Sequence, residues 1–167
     1  MRTNIQSSMN EKSFREQVQK FLSWDSAHLD WKTALAGLPA KHRGVRPSGA
    51  PHSAWELLEH VRIAQWDLLE YSRNPKHVSP EFPTGYWPQK PAPPNAAAWD
   101  RSVKAFERDL ADMGRLASDE SIDLTAPIPG RSGETYLREI LILADHNAYH
   151  LGQFVLLRRL LGAWHEK

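Results

Sequence analysis

Apolar residues recur at three- and four-residue steps over four stretches of the chain, each closed by proline or glycine, and this pattern predicts four helices. The first is expected from about Glu11 to Leu38, with Phe14, Val18, Phe21, Leu22, Leu29 and Leu35 inward and Gly37 and Pro39 at its end. The linker from Ala40 to His52 holds Gly44, Pro47, Gly49 and Pro51 and shows no periodicity. The second helix is expected to be capped by Ser53, with Glu56 three residues on to complete a capping box. It should run to about Arg73, where Asn74-Pro75 closes it, with Leu57, Val61, Ala64, Leu68 and Tyr71 facing inward. The third is expected from Asn95, a good cap residue, to about Ala117 through Trp99, Val103, Phe106 and Leu110. The fourth should span roughly Glu134 to Leu161, apolar at Leu137, Ile140, Leu141, Leu143, Ala144, Phe154, Leu157 and Leu161, and stop at Gly162. No stretch alternates with the period of a strand.

Between helices two and three, Pro75 to Pro94 carries seven prolines interleaved with Phe82, Tyr86 and Trp87. Such density forbids a helix and removes strand donors. The aromatic side chains should pack this loop down, either as a surface connection or as a pocket lid. Pro127, Pro129, Gly130 and Gly133 lead into the last helix. Four helices with long connections make one bundle domain over 1–167, with residues 1–10 expected to be flexible.

Composition narrows the function classes. The 167 residues are 41% hydrophobic and 25% charged, as in an ordinary globular domain. With 21 Lys+Arg against 20 Asp+Glu, basic residues are scattered, so no nucleic-acid partner is expected. Absence of cysteine removes disulfides, thiolate metal sites and a cysteine nucleophile, and fits a reducing cytoplasm. The polar start has no apolar segment of signal-peptide kind, and Ile140 to Ala144 is too short to span a membrane. A soluble cytoplasmic protein is expected.

The candidate chemistry lies in histidines. His146 and His150, four apart on the fourth helix, share one face with Leu143, Asn147, Phe154 and Leu157. His60 sits among Leu57, Val61 and Ala64 on the second helix. One helix thus offers one inward histidine and another a pair, the way bundle interiors hold metals. A single inward histidine is more often a satisfied core residue, but three in one core each need partners on both nitrogens. Three imidazoles leave a coordination position open, and without thiolate the ion is zinc, nickel, iron or manganese. His28 could face the same interior as a further contact, or pack at the edge of an aromatic cluster. Glu56 could bond a ligand imidazole or serve only as the capping acid. Trp87 and Trp99 could line a pocket over the ion. Asp145 should face elsewhere, and His42, His52, His77 and His165 are expected to be solvated.

The residues Ala54-Trp55-Glu56-Leu57-Leu58-Glu59-His60 and Asp145-His146-Asn147-Ala148-Tyr149-His150-Leu151-Gly152-Gln153 resemble the DinB-like superfamily, the YfiT/DinB group of metal-binding four-helix bundles. Its pattern is one histidine on helix two, then his-x-x-x-his and gly-gln on helix four, and Tyr86-Trp87-Pro88 agrees with its loop. An arginine that often follows the family's paired histidines is replaced here by Leu151. The resemblance implies an all-α bundle, a metal triad of His60, His146 and His150, Gln153 beside it, and a homodimer. For function it implies a divalent-metal protein, zinc or nickel first and iron or manganese next. Two enzymatic readings follow: activation of a low-molecular-weight thiol for S-transfer to a small-molecule substrate, or of water for hydrolysis. The alternative is a non-enzymatic or stress-related binding protein with a structural ion. No catalytic residue is assigned at this level.

Overall fold

A computed structural model describes residues 2–23 and 27–164. Five α-helices form it: α1 (Arg2–Ser23), α2 (Trp31–Leu35), α3 (Ala54–Arg73), α4 (Ala96–Ser118) and α5 (Tyr136–Leu160), with 3-10 turns at Ala40–His42 and Thr84–Tyr86. Among the described residues there is no strand, only an isolated bridge between Pro127 and Thr135. No helix among them is long and apolar enough to cross a membrane.

The expected first helix is divided. Asp30 is extended, and its carboxylate accepts the Thr33 N–H at 2.7 Å, so a new short helix is capped where a continuous one was expected. Phe14 and Phe21 are 39% and 48% exposed rather than inward, while Val18, Leu22 and, past the division, Trp31 reach the core. The other three helices begin and end close to expectation. At α3, Ser53 Oγ accepts the Glu56 N–H and Glu56 returns a carboxylate oxygen to the Ser53 N–H at 2.8 Å, which satisfies two of the four donors a helix start leaves free. Asn95 caps α4 and Thr135 caps α5.

α3 is the central helix, packed against α4 and α5, while α1 lies on α4 and the short α2 on α5. One core cluster is aromatic. Trp31 stands 5.4 Å from both Phe106 and Phe154, with Trp55 and Trp99 beside them. A second holds Val18, Leu22, Leu69, Met113, Ile140 and Leu143. Each such side chain, fully buried, contributes about 1.5–3 kcal/mol. A buried polar thread runs between helices: Asn147 donates to Gln65 at 2.8 Å, and Gln65 donates to the Phe106 carbonyl at 2.7 Å. The Trp31 indole N–H caps the thread on the Asn147 carbonyl at 3.1 Å. It fixes the rotation of α5 against α3, because a slip about either axis would leave amides unpaired in the interior.

Two arginines fasten the connections. Arg158 is buried and donates to the carbonyls of Ala34, Ala36 and Ala163, tying α2 to α5. Arg131, from the α4–α5 connection, donates to the carbonyls of Tyr71, Asn74 and His77 and stacks on Tyr71 at 4.0 Å, closing the end of α3 and the start of the proline loop.

Candidate metal centre

His60 belongs to the buried stripe of α3, and His146 and His150 follow one another by a turn on the facing side of α5. The packing of α3 on α5 therefore brings the three rings together. His60 Nε2 lies 3.1 Å from both His146 Nε2 and His150 Nε2. One ligand atom from each residue falls within 4.8 Å of the others, so the group could hold a metal ion. Nitrogens bound to a tetrahedral ion at 2.0–2.1 Å stand about 3.3 Å apart, close to the spacing found.

The outer nitrogens decide what the inner ones present. His60 Nδ1 faces the Tyr86 carbonyl at 3.0 Å, and His150 Nδ1 faces Gln153 Oε1 at 2.9 Å. A backbone carbonyl can only accept, so His60 Nδ1 carries hydrogen, and with the amide oxygen of Gln153 turned towards it His150 Nδ1 carries hydrogen as well. In a neutral imidazole the opposite nitrogen is then a bare lone pair. Two lone pairs thus meet at 3.1 Å between His60 and His150, an arrangement that repels unless a cation lies between them. His146 Nδ1 is buried with no hydrogen-bond partner among the described residues, and its ring is held by the two others at 5.0 and 4.5 Å between centroids. Burial, and then the neighbouring rings, depress the His146 imidazole to about 4. Burial also takes His60 to about 4, against the pull of the Tyr86 carbonyl, and lowers His150. At neutral pH all three are therefore uncharged donors of electron pairs.

The proline loop closes one side. Trp87 lies flat on His60, 3.9 Å between centroids and 2° from parallel, and His52 lies on the other face of Trp87 at 4.1 Å. Tyr86 and Trp87 are half-buried, whereas Phe82, expected to pack down with them, is 81% exposed. The loop is fixed to α3 through Asp67, which accepts the Tyr86 phenol at 2.6 Å and His77 Nε2 at 2.7 Å. Burial and the Asp67 side chain push the phenol up to about 12, so it remains the donor. A cavity of about 140 Å3 is lined by His52, which stacks on Trp87, and by Gln153, which holds His150, with Pro51, Leu57, Leu156 and Leu157 among its other walls. A much larger cleft of about 970 Å3, lined in part by Gln19, Leu110 and Arg115, shares none of these residues.

Several expected residues lie elsewhere. His28 is exposed in the turn before α2, with Nδ1 on the Leu29 carbonyl at 2.8 Å, because the break in the first helix turns it away from the bundle. Glu56 is committed to the Ser53 cap and to Arg46, which grips both its oxygens, so it is the capping acid and not a partner of a ligand imidazole. Trp99 is core, under the Arg43 guanidinium at 4.7 Å, and Asp145 is exposed as expected. His52 and His77, expected in solvent, are both packed, the His77 side chain being only 6% exposed. Asp67 is seven residues after His60 on one helix face, a spacing that carried the signal for it.

Neither the curated proteins nor the solved structures contain a match to this chain. The sequence model of one family does match, over residues 24–154, a span that takes in all three histidines, Tyr86, Trp87 and Gln153. On that match, together with an all-helical bundle that gathers His60, His146 and His150 in its interior, the chain belongs to the DinB superfamily.

Proposed function

We propose that the chain binds one divalent ion, zinc or nickel before iron or manganese, and uses it to activate a small nucleophile. The observation that carries this is the meeting of bare nitrogens: His60 and His150 each donate outward from Nδ1 and so turn their Nε2 lone pairs on each other at 3.1 Å. When bound, such an ion supplies positive charge that lowers the pKa of a thiol or water beside it. Three neutral imidazoles leave that charge uncompensated, which favours an anionic fourth partner, and they leave a position for it where structural zinc sites use four protein ligands. A low-molecular-weight thiol is the leading cosubstrate, because the chain has no cysteine of its own, and water for hydrolysis is the second.

The protein's part is to orient and to shield. Tyr86 and Gln153 hold two of the rings by their outer N–H groups, and Trp87 covers one face of His60. The small apolar cavity beside Gln153 suits the alkyl part of a thiol or of its acceptor. Tyr149, Leu156 and Leu160, 65%, 58% and 53% exposed on one face of α5, support a homodimer as part of the same reading.

Metal analysis of protein purified without an affinity tag should give one ion per chain, and His146→Ala and His150→Ala should lose most of it. Unchanged stoichiometry in both variants would sink the assignment. Cobalt-loaded protein titrated with a panel of small thiols should develop sulfur-to-metal charge transfer. Burial of His60 and His150, 8% and 7% exposed, favours a second reading in which the ion only staples α3 to α5. That reading takes over if no thiol reaches the ion and no electrophile is turned over.

A further inference from the structure

The proline loop is tied to α3 at two heights by one residue. Tyr86 accepts the His60 Nδ1–H on its carbonyl at 3.0 Å and donates its phenol to Asp67 at 2.6 Å. His60 and Asp67 are seven residues apart on α3, two turns or about 10 Å along one face. The tyrosine thus lies along the helix with its backbone at the histidine and its ring end at the carboxyl group. Asp67 is 7% exposed, and its second oxygen is occupied by His77 Nε2 at 2.7 Å, so the group cannot turn away without breaking two bonds. The His77 ring is in turn lodged edge-on against Trp66 at 5.1 Å.

We infer that Asp67 is a positioning residue of the metal centre, acting on His60 through Tyr86. The carbonyl that selects the His60 tautomer comes from a loop with no regular ladder of backbone bonds behind it, apart from the single 3-10 turn at Thr84–Tyr86. Its location is therefore only as definite as the anchors on either side. One is Trp87, stacked on the ring it helps to orient. The other is the Tyr86 phenol on Asp67, which together with the Trp87 stack refers the carbonyl to the rigid helix that bears the histidine. Release of the phenol lets the carbonyl drift, the His60 ring then samples rotations about its side-chain bonds, and the lone pair no longer points steadily at its two neighbours. Gln153 performs the same office for His150 from within α5, three residues on, and needs no such relay.

The inference rests on the metal reading above, and its test separates the two. Tyr86→Phe removes the phenol and keeps the ring; Asp67→Ala removes its acceptor; Asp67→Asn keeps an acceptor. Cobalt(II) or zinc affinity, measured against a competing chelator, should weaken about tenfold in Tyr86→Phe and in Asp67→Ala, and less in Asp67→Asn. The double variant should be no weaker than either single one, because both cut the same link. In the cobalt protein the exchangeable Nδ1–H resonances of the ligand histidines are shifted clear of the diamagnetic envelope. That of His60 should exchange with solvent about tenfold faster in Tyr86→Phe. That of His150, held by Gln153, should not change, which a general loss of packing would not produce. Wild-type protein that takes up no metal overturns the metal reading and the inference with it. Full uptake with unchanged affinity and unchanged His60 exchange in Tyr86→Phe overturns the inference alone.

Discussion

Acidification of the metal-free protein from about pH 7.5 to 5 should destabilise it well before its carboxylates protonate. The His60 and His146 imidazoles stand at about 4 in the folded chain and return to the ordinary 6.5 on unfolding. Between those values the unfolded state binds more protons than the native one, so stability falls as pH falls. It is whole above about pH 7 and drains through the window from 6.5 down to 4. At pH 5 each imidazole costs roughly 2 kcal/mol, and the pair about 4 kcal/mol, since each shift of one unit is worth about 1.4 kcal/mol. That is a large part of the 5–15 kcal/mol typical of a domain. Urea unfolding in the presence of chelator, followed by circular dichroism at half-unit steps of pH, measures it. His60→Gln/His146→Gln should lose that part of the slope, while His150 and His52, lowered in the same direction by burial, leave a remainder. A wild-type stability constant between pH 7 and 5, or a double variant with the wild-type profile, would refute the reasoning.

Phe154→Ala should cost about 3–5 kcal/mol in urea unfolding, because the ring is wholly buried against Trp31 and its removal leaves a cavity that fixed helices cannot fill. A loss below about 1 kcal/mol would mean that the aromatic cluster is loosely packed. Arg158→Met should lower stability by about 2–4 kcal/mol, since it strands the Ala34, Ala36 and Ala163 carbonyls, and hydrogen exchange should show α2 loosened first. Exchange that is unchanged in residues 31–36 would contradict that assignment. Light scattering should return twice the chain mass of 19.1 kDa, and Leu156→Glu/Leu160→Glu should return the single mass; a monomer at high concentration removes the dimer.

What could be read from sequence was what is encoded locally. The Ser53-x-x-Glu56 box, the Asn95 cap and the apolar period around His60, His146 and His150 each depend on neighbours within a turn or two, and the structure keeps them. The division of the first helix was less legible. Asp30 competes for the Thr33 N–H, a choice that also needs the burial of Trp31 against Phe106 and Phe154 from distant helices. Glu56 carried two meanings, and Arg46 from the linker settled which one holds. The loop groups were hidden for a different reason. The atom that holds His60 is a backbone carbonyl, which no side-chain type announces, and His52 and His77 are packed only because that loop lies down on α3.

The Arg131 clamp bears on the order in which the molecule assembles. The helix that carries His60 is finished at its far end by a guanidinium sixty positions later in the chain. Closure of so long a segment is entropically slow compared with winding a helix. As the chain leaves a ribosome, α3 can coil early, but the Tyr71 carbonyl gains the Arg131 guanidinium, and the Asn74 carbonyl a second donor beside the His77 N–H, only when the α4–α5 connection arrives. α5, with His146 and His150, begins within a few residues of that arginine. The piece that terminates α3 and the helix that completes the histidine cluster are thus delivered in close succession, His146 and His150 lying 15 and 19 positions beyond Arg131.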